Sequence, residues 1–223
     1  MIIFLDTNNA QWTEAPSELG SEYSIGQLLT PLTRYADRGG IYAIDNGAFA
    51  GFNPTHFRSL LERQKSSKDR CKFVAVPDVV GSARRTEEVF RHWYRQLCGW
   101  PLALVAQDGI EDIEIPWELI DAIFIGGSTE FKLGSIAEQC IKAAKAIGKW
   151  VHVGRVNTPD RVAKFSDLGV DSIDGSGISR FGWMRRDIGA GIWQPLLSKD
   201  GAGEGASVGS GEQGDDASME VKR

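Results

Sequence analysis

A closed (β/α) barrel of the TIM type is the α/β fold this chain predicts, on three observations. Short apolar runs recur along the sequence, helical segments lie between them, and several runs end in a carboxylate or a glycine turn. Alternating strands and helices joined by right-handed crossovers give a parallel sheet, open or closed. In the closed form every strand's C-terminal end opens on one mouth, so polar groups far apart in sequence converge there.

The runs IIFL (2–5), IYAI (41–44), FVAV (73–76), LALVA (102–106), AIFI (122–125), WVHV (150–153) and DSI (171–173) are short and mostly apolar throughout, the pattern of parallel strands covered on both faces. They predict seven clear strands, with an eighth irregular or missing. Helices are expected over Ile25 to Tyr35, Pro54 to Lys65, Ser82 to Leu97, Phe131 to Ile147 and Pro159 to Leu168. Asn53 and Thr158 each precede a proline, a capping residue followed by a residue whose missing N–H costs nothing in the first turn. The barrel is expected to span residues 1–197. Residues 198–223 are rich in Gly, Ser and acid, with almost nothing apolar to offset the entropy of ordering, and predict a disordered tail.

Of 223 residues, 42% are hydrophobic and 25% charged, within the range of ordinary globular domains. No apolar stretch is long enough to span a bilayer, and the first residues lack the pattern of a secretory signal. These features predict no membrane partner and a cytoplasmic protein, in the host cytoplasm if it is viral. Cys71, Cys98 and Cys140 are too widely spaced for a zinc knuckle, and their odd number argues against a disulfide framework. The formal charge is −5; the tail holds six acids against three bases, net −3, which leaves −2 for the body. A polyanion partner would have to be gripped locally.

The strand ends carry the chemistry. Asp45 follows a strand and precedes Asn46-Gly47, so it either faces the mouth or closes its own Asx turn. Asp78 lies between Pro77 and two valines, as a site carboxylate or a helix cap. Gln107 and Asp108 end another strand, where an amide offers a donor and an acceptor together. Gly126 and Gly127 bare their backbone N–H groups, or simply make a tight turn. Asp174 ends the last run among small residues. In HVGRVNTPDR, Arg155 is placed to clasp a phosphate and Asn157 to hold a loop, while His152 points either into the barrel or toward the helices. Phe49, Phe131 and Trp183 are candidate stacking groups, with core packing as the alternative. The run Lys65, Lys68, Arg70, Lys72 reads as a solvated helix end. Arg180, Arg185 and Arg186 read as phosphate-backbone contacts or surface charge.

The ordered series IDNGAF, PDVVG, QDG, IGG, HVGRVNTPDR and GVDSIDG resembles the tRNA-guanine transglycosylase superfamily, and most closely its short deazaguanine DNA transglycosylases of phages and bacteria. The similarity covers roughly Ile41 to Arg180. It implies a barrel that exchanges guanine in a polynucleotide for a 7-deazaguanine such as 7-cyano-7-deazaguanine. On that resemblance Asp174 is the nucleophile and Asp45 the general acid/base. Asp78 and Gln107 would read the purine edge, and Gly126 and Gly127 would donate to its carbonyl. The implied partners are DNA, single-stranded or with a flipped base, and the free 7-deazaguanine; no cofactor is implied. The tRNA enzymes carry a C-terminal zinc site, whereas no Cys or His follows Asp174 here. That departure predicts no metal and favours DNA over tRNA. Three alternatives stand beside this reading: the same exchange on RNA, a phosphate-binding barrel enzyme acting on small sugar phosphates, and a non-catalytic purine-binding protein.

Overall fold

A computed structural model describes residues 1–33 and 36–191 of the chain. Residues 192–197 of the expected barrel span and the expected disordered tail at 198–223 lie outside the described residues. The elements are β1 (Ile2–Leu5), α1 (Asn9–Leu19), β2 (Ser24–Leu29), β3 (Tyr42–Ile44), α2 (Pro54–Arg63), β4 (Cys71–Ala75), α3 (Ala83–Trp93), β5 (Leu102–Ala106), β6 (Ala122–Ile125), α4 (Thr129–Leu133), α5 (Ser135–Ala146), β7 (Trp150–Val153), α6 (Pro159–Asp167), β8 (Ser172–Asp174), α7 (Ser176–Arg180) and α8 (Gly182–Gly189). All eight strands pair in parallel with their neighbours, and β8 pairs with β1 to close the barrel.

The eighth strand is neither irregular nor missing: it is β2, in the segment where the sequence predicts a helix from Ile25 to Tyr35. Ile25, Leu28 and Leu29 have a spacing that suits one helix face, but a short apolar run fits either element. Burial on both sides decides it. Leu28 packs inside the barrel and Leu29 against the outer helices, the two-sided alternation of a strand. The expected helix over 131–147 is broken at Gly134 into α4 and α5.

Caps mark where the helices begin. The side chains of Asn8, Asn53, Ser82, Ser128 and Thr158 accept the N–H groups of Gln11, His56, Arg85, Phe131 and Arg161, each satisfying a first-turn donor that the helix cannot.

Two apolar layers hold the barrel. The outer one joins alternate strand residues such as Ile3, Ile44, Leu104, Ile123, Val151 and Ile173 to the helices. The inner one comprises Phe4, Leu28, Ala43, Phe73, Ala75, Ala103, Val105, Ala122 and Phe124. Three phenylalanines fit inside because the facing positions are small. Gly26 pairs with Phe4 across the β1–β2 ladder, and a Cβ there would come within 2.5 Å of the Phe4 ring. Outside, α8 clasps α1: Arg185, 1% exposed, donates from Nε to Glu18 and from its Nη1 to the carbonyls of Ile178 and Ser179. Among the described residues no helix is long and apolar enough to cross a membrane.

Gly26→Ala is expected to cost about 1–3 kcal/mol in urea unfolding, because a rigid ring must move. Adding Phe4→Leu should recover part of that loss; two costs that simply sum would mean that the ring is not the obstacle.

Candidate active site

The C-terminal strand ends meet around a cleft, open to solvent, whose lining includes Asp45, Asp78, Gln107, Arg155 and Asp174. Asp45 follows β3, Gln107 follows β5, the Gly126-Gly127 pair follows β6, Arg155 lies two residues past β7, and Asp174 ends β8. Asp45 both faces the cleft and closes its turn, its Oδ1 accepting the Gly47 N–H at 2.9 Å. Burial lifts its carboxyl to about 6; the Gly47 N–H opposes this, and the charges of Asp174 and Asp78 add to it.

Asp78 caps no helix, since Ser82 takes that role for α3. Its Oδ1 accepts from Asn46 Nδ2 at 2.8 Å and its Oδ2 from Gln107 Nε2 at 2.5 Å. Burial still raises the Asp78 carboxyl, with both amides and the Arg155 charge working against the rise. Gln107 Oε1 accepts the Gly81 N–H at 2.8 Å, so Gln107 holds Asp78 in place and keeps one amide hydrogen and one oxygen lone pair for anything else.

Asp174 has a nitrogen at each oxygen: Arg155 N donates to Oδ1 at 3.2 Å, and His152 Nε2 lies 2.9 Å from Oδ2. Arg155 reaches that position with a φ of 59°, the left-handed region that non-glycine residues occupy at a cost. Its guanidinium donates to the Gly127 carbonyl and lies 4.4 Å from the Phe49 ring centre, bridging three loops of the mouth.

The remaining predicted residues divide. Phe49 is 70% exposed on the rim, where a base could stack. Phe131 is not a stacking group: only 9% exposed, it packs in the outer core so close beneath Gly127 that a Cβ there would meet its ring at 2.6 Å. Gly126 does not donate into the cleft, because its N–H is spent on the Ala106 carbonyl in the barrel ladder; a Cβ there would crowd Val105 and Gln107. Asn157 bridges the Arg155 carbonyl, to which its Nδ2 donates, and the Gly177 N–H, which its Oδ1 accepts.

Arg180 lies at the end of α7, where its charge acts on Asp6 and its carbonyl accepts from Gln11; it does not line the cleft. Arg185 and Arg186 are committed to Glu18 and form no free basic patch. Trp183 is exposed but stacks on Phe181 away from the cleft. In the first basic run Lys65 is open to solvent, while Lys68, Arg70 and Lys72 lie over the rings of Trp100, Tyr42 and Trp150. Asp108 anchors α4: although burial opposes it, the Ser128 hydroxyl and N–H hold its carboxyl below the usual range.

Sequence reasoning missed Asn46 as the holder of Asp78 and Lys132 as a buried cation. Lys132 donates to the Gly154 carbonyl at 2.8 Å, and burial brings its ammonium down to about 8. It also left out Asp6, although a carboxylate directly after IIFL repeats the signal that picked out Asp45. Among the described residues, no three His, Cys, Asp or Glu side chains group so as to hold a metal ion.

The fold and site define a parallel eight-stranded barrel with three carboxylates at its mouth. No protein-family profile and no curated protein sequence matches the chain. Among solved structures it is similar to a flavocytochrome b2 variant, at 11% identity over 86% of this chain and 60% of that one, with a TM-score of 0.50. It is also similar to phosphoribosyl anthranilate isomerase from Thermus thermophilus, at 12% identity over 86% and 97% of the two chains, with a TM-score of 0.45. These likenesses concern the fold alone.

Ionised Asp45 weakens the folded state. Because its folded pKa is raised, the favourable protonated form is fully present below about pH 4 and is lost as pH climbs through about 6. Asp45→Asn keeps an oxygen for the Gly47 N–H. It should raise unfolding free energy by about 1–2 kcal/mol near neutral pH and change little near pH 4. Urea unfolding at both conditions reads the difference, and equal stabilities near neutral pH would contradict the raised carboxyl.

Proposed function

We propose that this protein replaces guanine in DNA with a 7-deazaguanine, such as 7-cyano-7-deazaguanine, through a covalent glycosyl-aspartate. The observation that carries this reading is that Asp45 and Asp174 line one cleft beside a third carboxylate held by two amides. The sequence resemblance supplies the substrate class.

Exchanging one base for another on the same face of a sugar takes two displacements. An oxygen of Asp174 attacks C1′, the bond from C1′ to guanine N9 breaks with its electron pair passing to the base, and protonated Asp45 supplies the proton the departing base needs. The incoming deazaguanine then gives its N9 proton to Asp45 carboxylate while N9 attacks C1′ and Asp174 leaves. A carboxyl lifted to about 6 suits both directions, since it exchanges protons near neutral pH.

Asp78 supports purine choice. Held by Asn46 and Gln107, it keeps lone pairs for the ring N–H and exocyclic amine of a guanine edge, a pair of donors that adenine lacks. The target base has to leave its stack to enter the cleft, which calls for single-stranded DNA or a flipped nucleotide. Phe49 offers an aromatic face at the rim for it.

Release of labelled guanine from DNA, with and without added deazaguanine, tests the reading. Release is expected only with the deazaguanine present, and Asp174→Ala should abolish it. Asp45→Asn should slow both half-reactions by about 10²–10⁴-fold, whereas Asp78→Asn should chiefly relax the choice of purine, by a few kcal/mol of discrimination. Full exchange by Asp174→Ala would refute the assignment.

A further inference from the structure

Below the cleft, His152 and Ser172 form a polar column of buried side chains that ends at Asp174. His152, on β7, is 0% exposed. Its ring lies among Phe73, Phe124 and Phe4, at centre-to-centre distances of 4.8, 4.6 and 5.9 Å. Nδ1 is 3.0 Å from Ser172 Oγ and Nε2 is 2.9 Å from Asp174 Oδ2. Ser172 Oγ in turn lies 2.8 Å from Trp150 Nε1. A leucine at 152 would fill the same space, so the polar ring calls for a reason.

Hydrogen counting assigns every proton in this column. An indole N–H only donates, so Ser172 Oγ accepts from Trp150. The hydroxyl's single hydrogen then goes to His152 Nδ1, its one remaining partner among the described residues. Nδ1 therefore presents a lone pair, and Nε2 carries the proton that it donates to Asp174. A doubly protonated ring would set two donors on Ser172 Oγ and leave the hydroxyl hydrogen without an acceptor in a residue that is 0% exposed.

We infer that His152, as its neutral Nε2–H tautomer, is a positioning residue that fixes the carboxylate of Asp174 for attack at C1′. The chemical part of this inference rests on the base-exchange reading; the tautomer does not. One donor per oxygen, His152 Nε2 and Arg155 N, sets the plane of the carboxylate and leaves each oxygen a lone pair. The phenylalanines keep the ring from turning, and an apolar surround strengthens the bond it makes. Trp150 and Ser172 act one step further back, holding the tautomer, in the way that partners of a functional histidine usually do.

Long-range proton–nitrogen NMR of the protein labelled with 15N-histidine tests the tautomer directly. His56 and His92, the other histidines, are assigned through His56→Gln and His92→Gln. The expected spectrum shows His152 with a bare Nδ1 and a protonated Nε2, a preference that Ser172→Ala weakens. A protonated Nδ1, alone or together with Nε2, would overturn the inference.

Kinetics test the role. His152→Leu should lower kcat for exchange about hundredfold with little change in KM, and His152→Gln, which retains a donor toward Asp174, should recover about tenfold of that. Unchanged kcat in His152→Leu, or equal losses in both variants, would overturn the positioning role. Should His152→Leu fail to fold, Ser172→Ala takes its place, with a kcat loss expected and an unaltered kcat counting against the role. A wild-type protein that exchanges no base would remove the proposed reaction, while the spectrum would still judge the donor to Asp174, so the two failures are distinguishable.

Discussion

The site depends on the ladder that closes the barrel. β1 and β8 come from opposite ends of the described chain, yet Ile2, Ile3 and Phe4 pair in register with Ser172, Ile173 and Asp174. Side chains alternate between the two faces of a strand, so this register sends Asp174 inward with Phe4 while Ile173 packs outward with Ile3. A slip of one residue would turn the carboxylate toward the helices and Ile173 into the mouth. The clasp of α8 on α1 through Glu18 and Arg185 ties the first helix to the last one among the described residues.

Filling the interior sets the second constraint. Phe4, Phe73 and Phe124 occupy space that Gly26, Ala43, Ala75, Ala103 and Ala122 leave open, and the same rings enclose His152. Close packing of this kind makes the inner layer stiff. Stiffness there serves the cleft, because the groups that hold Asp174 stand on β7, at His152, or two residues beyond it, at Arg155, rather than on long loops. The loops contribute where bridging is needed. Arg155 adopts a costly backbone conformation and links the β6 loop, the β3 turn and the β8 carboxylate, and a strained residue persists only when its surroundings over-determine it.

Much of this was legible in the sequence, for identifiable reasons. Apolar runs buried on both faces betrayed seven strands, and the carboxylates ending two of them, Asp45 and Asp174, do share a cleft. β2 escaped because its apolar spacing also fits a helix, and what favours the strand is a ladder to residues distant in sequence. The errors at Gly126 and Phe131 have a common source. Sequence shows which groups a residue carries but not which are already spent: the Gly126 N–H belongs to the ladder and Phe131 to the core. Arg185 misled in the same way, since a buried ion pair with Glu18 leaves no trace in local charge patterning. The position of His152 leaves the inner and outer faces of β7 equally open in sequence, because its approach to Asp174 depends on the pairing of β7 with β8.

The two carboxylates central to the cleft have the same chemistry and different surroundings, and the difference suits different work. Asp174 receives one N–H on each oxygen, from a ring locked by aromatic neighbours and from a backbone amide held in a rare conformation. Asp45 accepts the Gly47 N–H across its own turn, stands near two other negative charges, and is lifted to about 6. A rigidly held anion is suited to bond to carbon, because attack demands one orientation. A carboxyl whose ionisation lies near neutral pH is suited to pass a proton and take it back. Under the proposed exchange, swapping Asp45 and Asp174 would ask the group with the raised pKa to attack and the doubly held group to shuttle protons, so the proposed roles agree with the surroundings of each carboxylate.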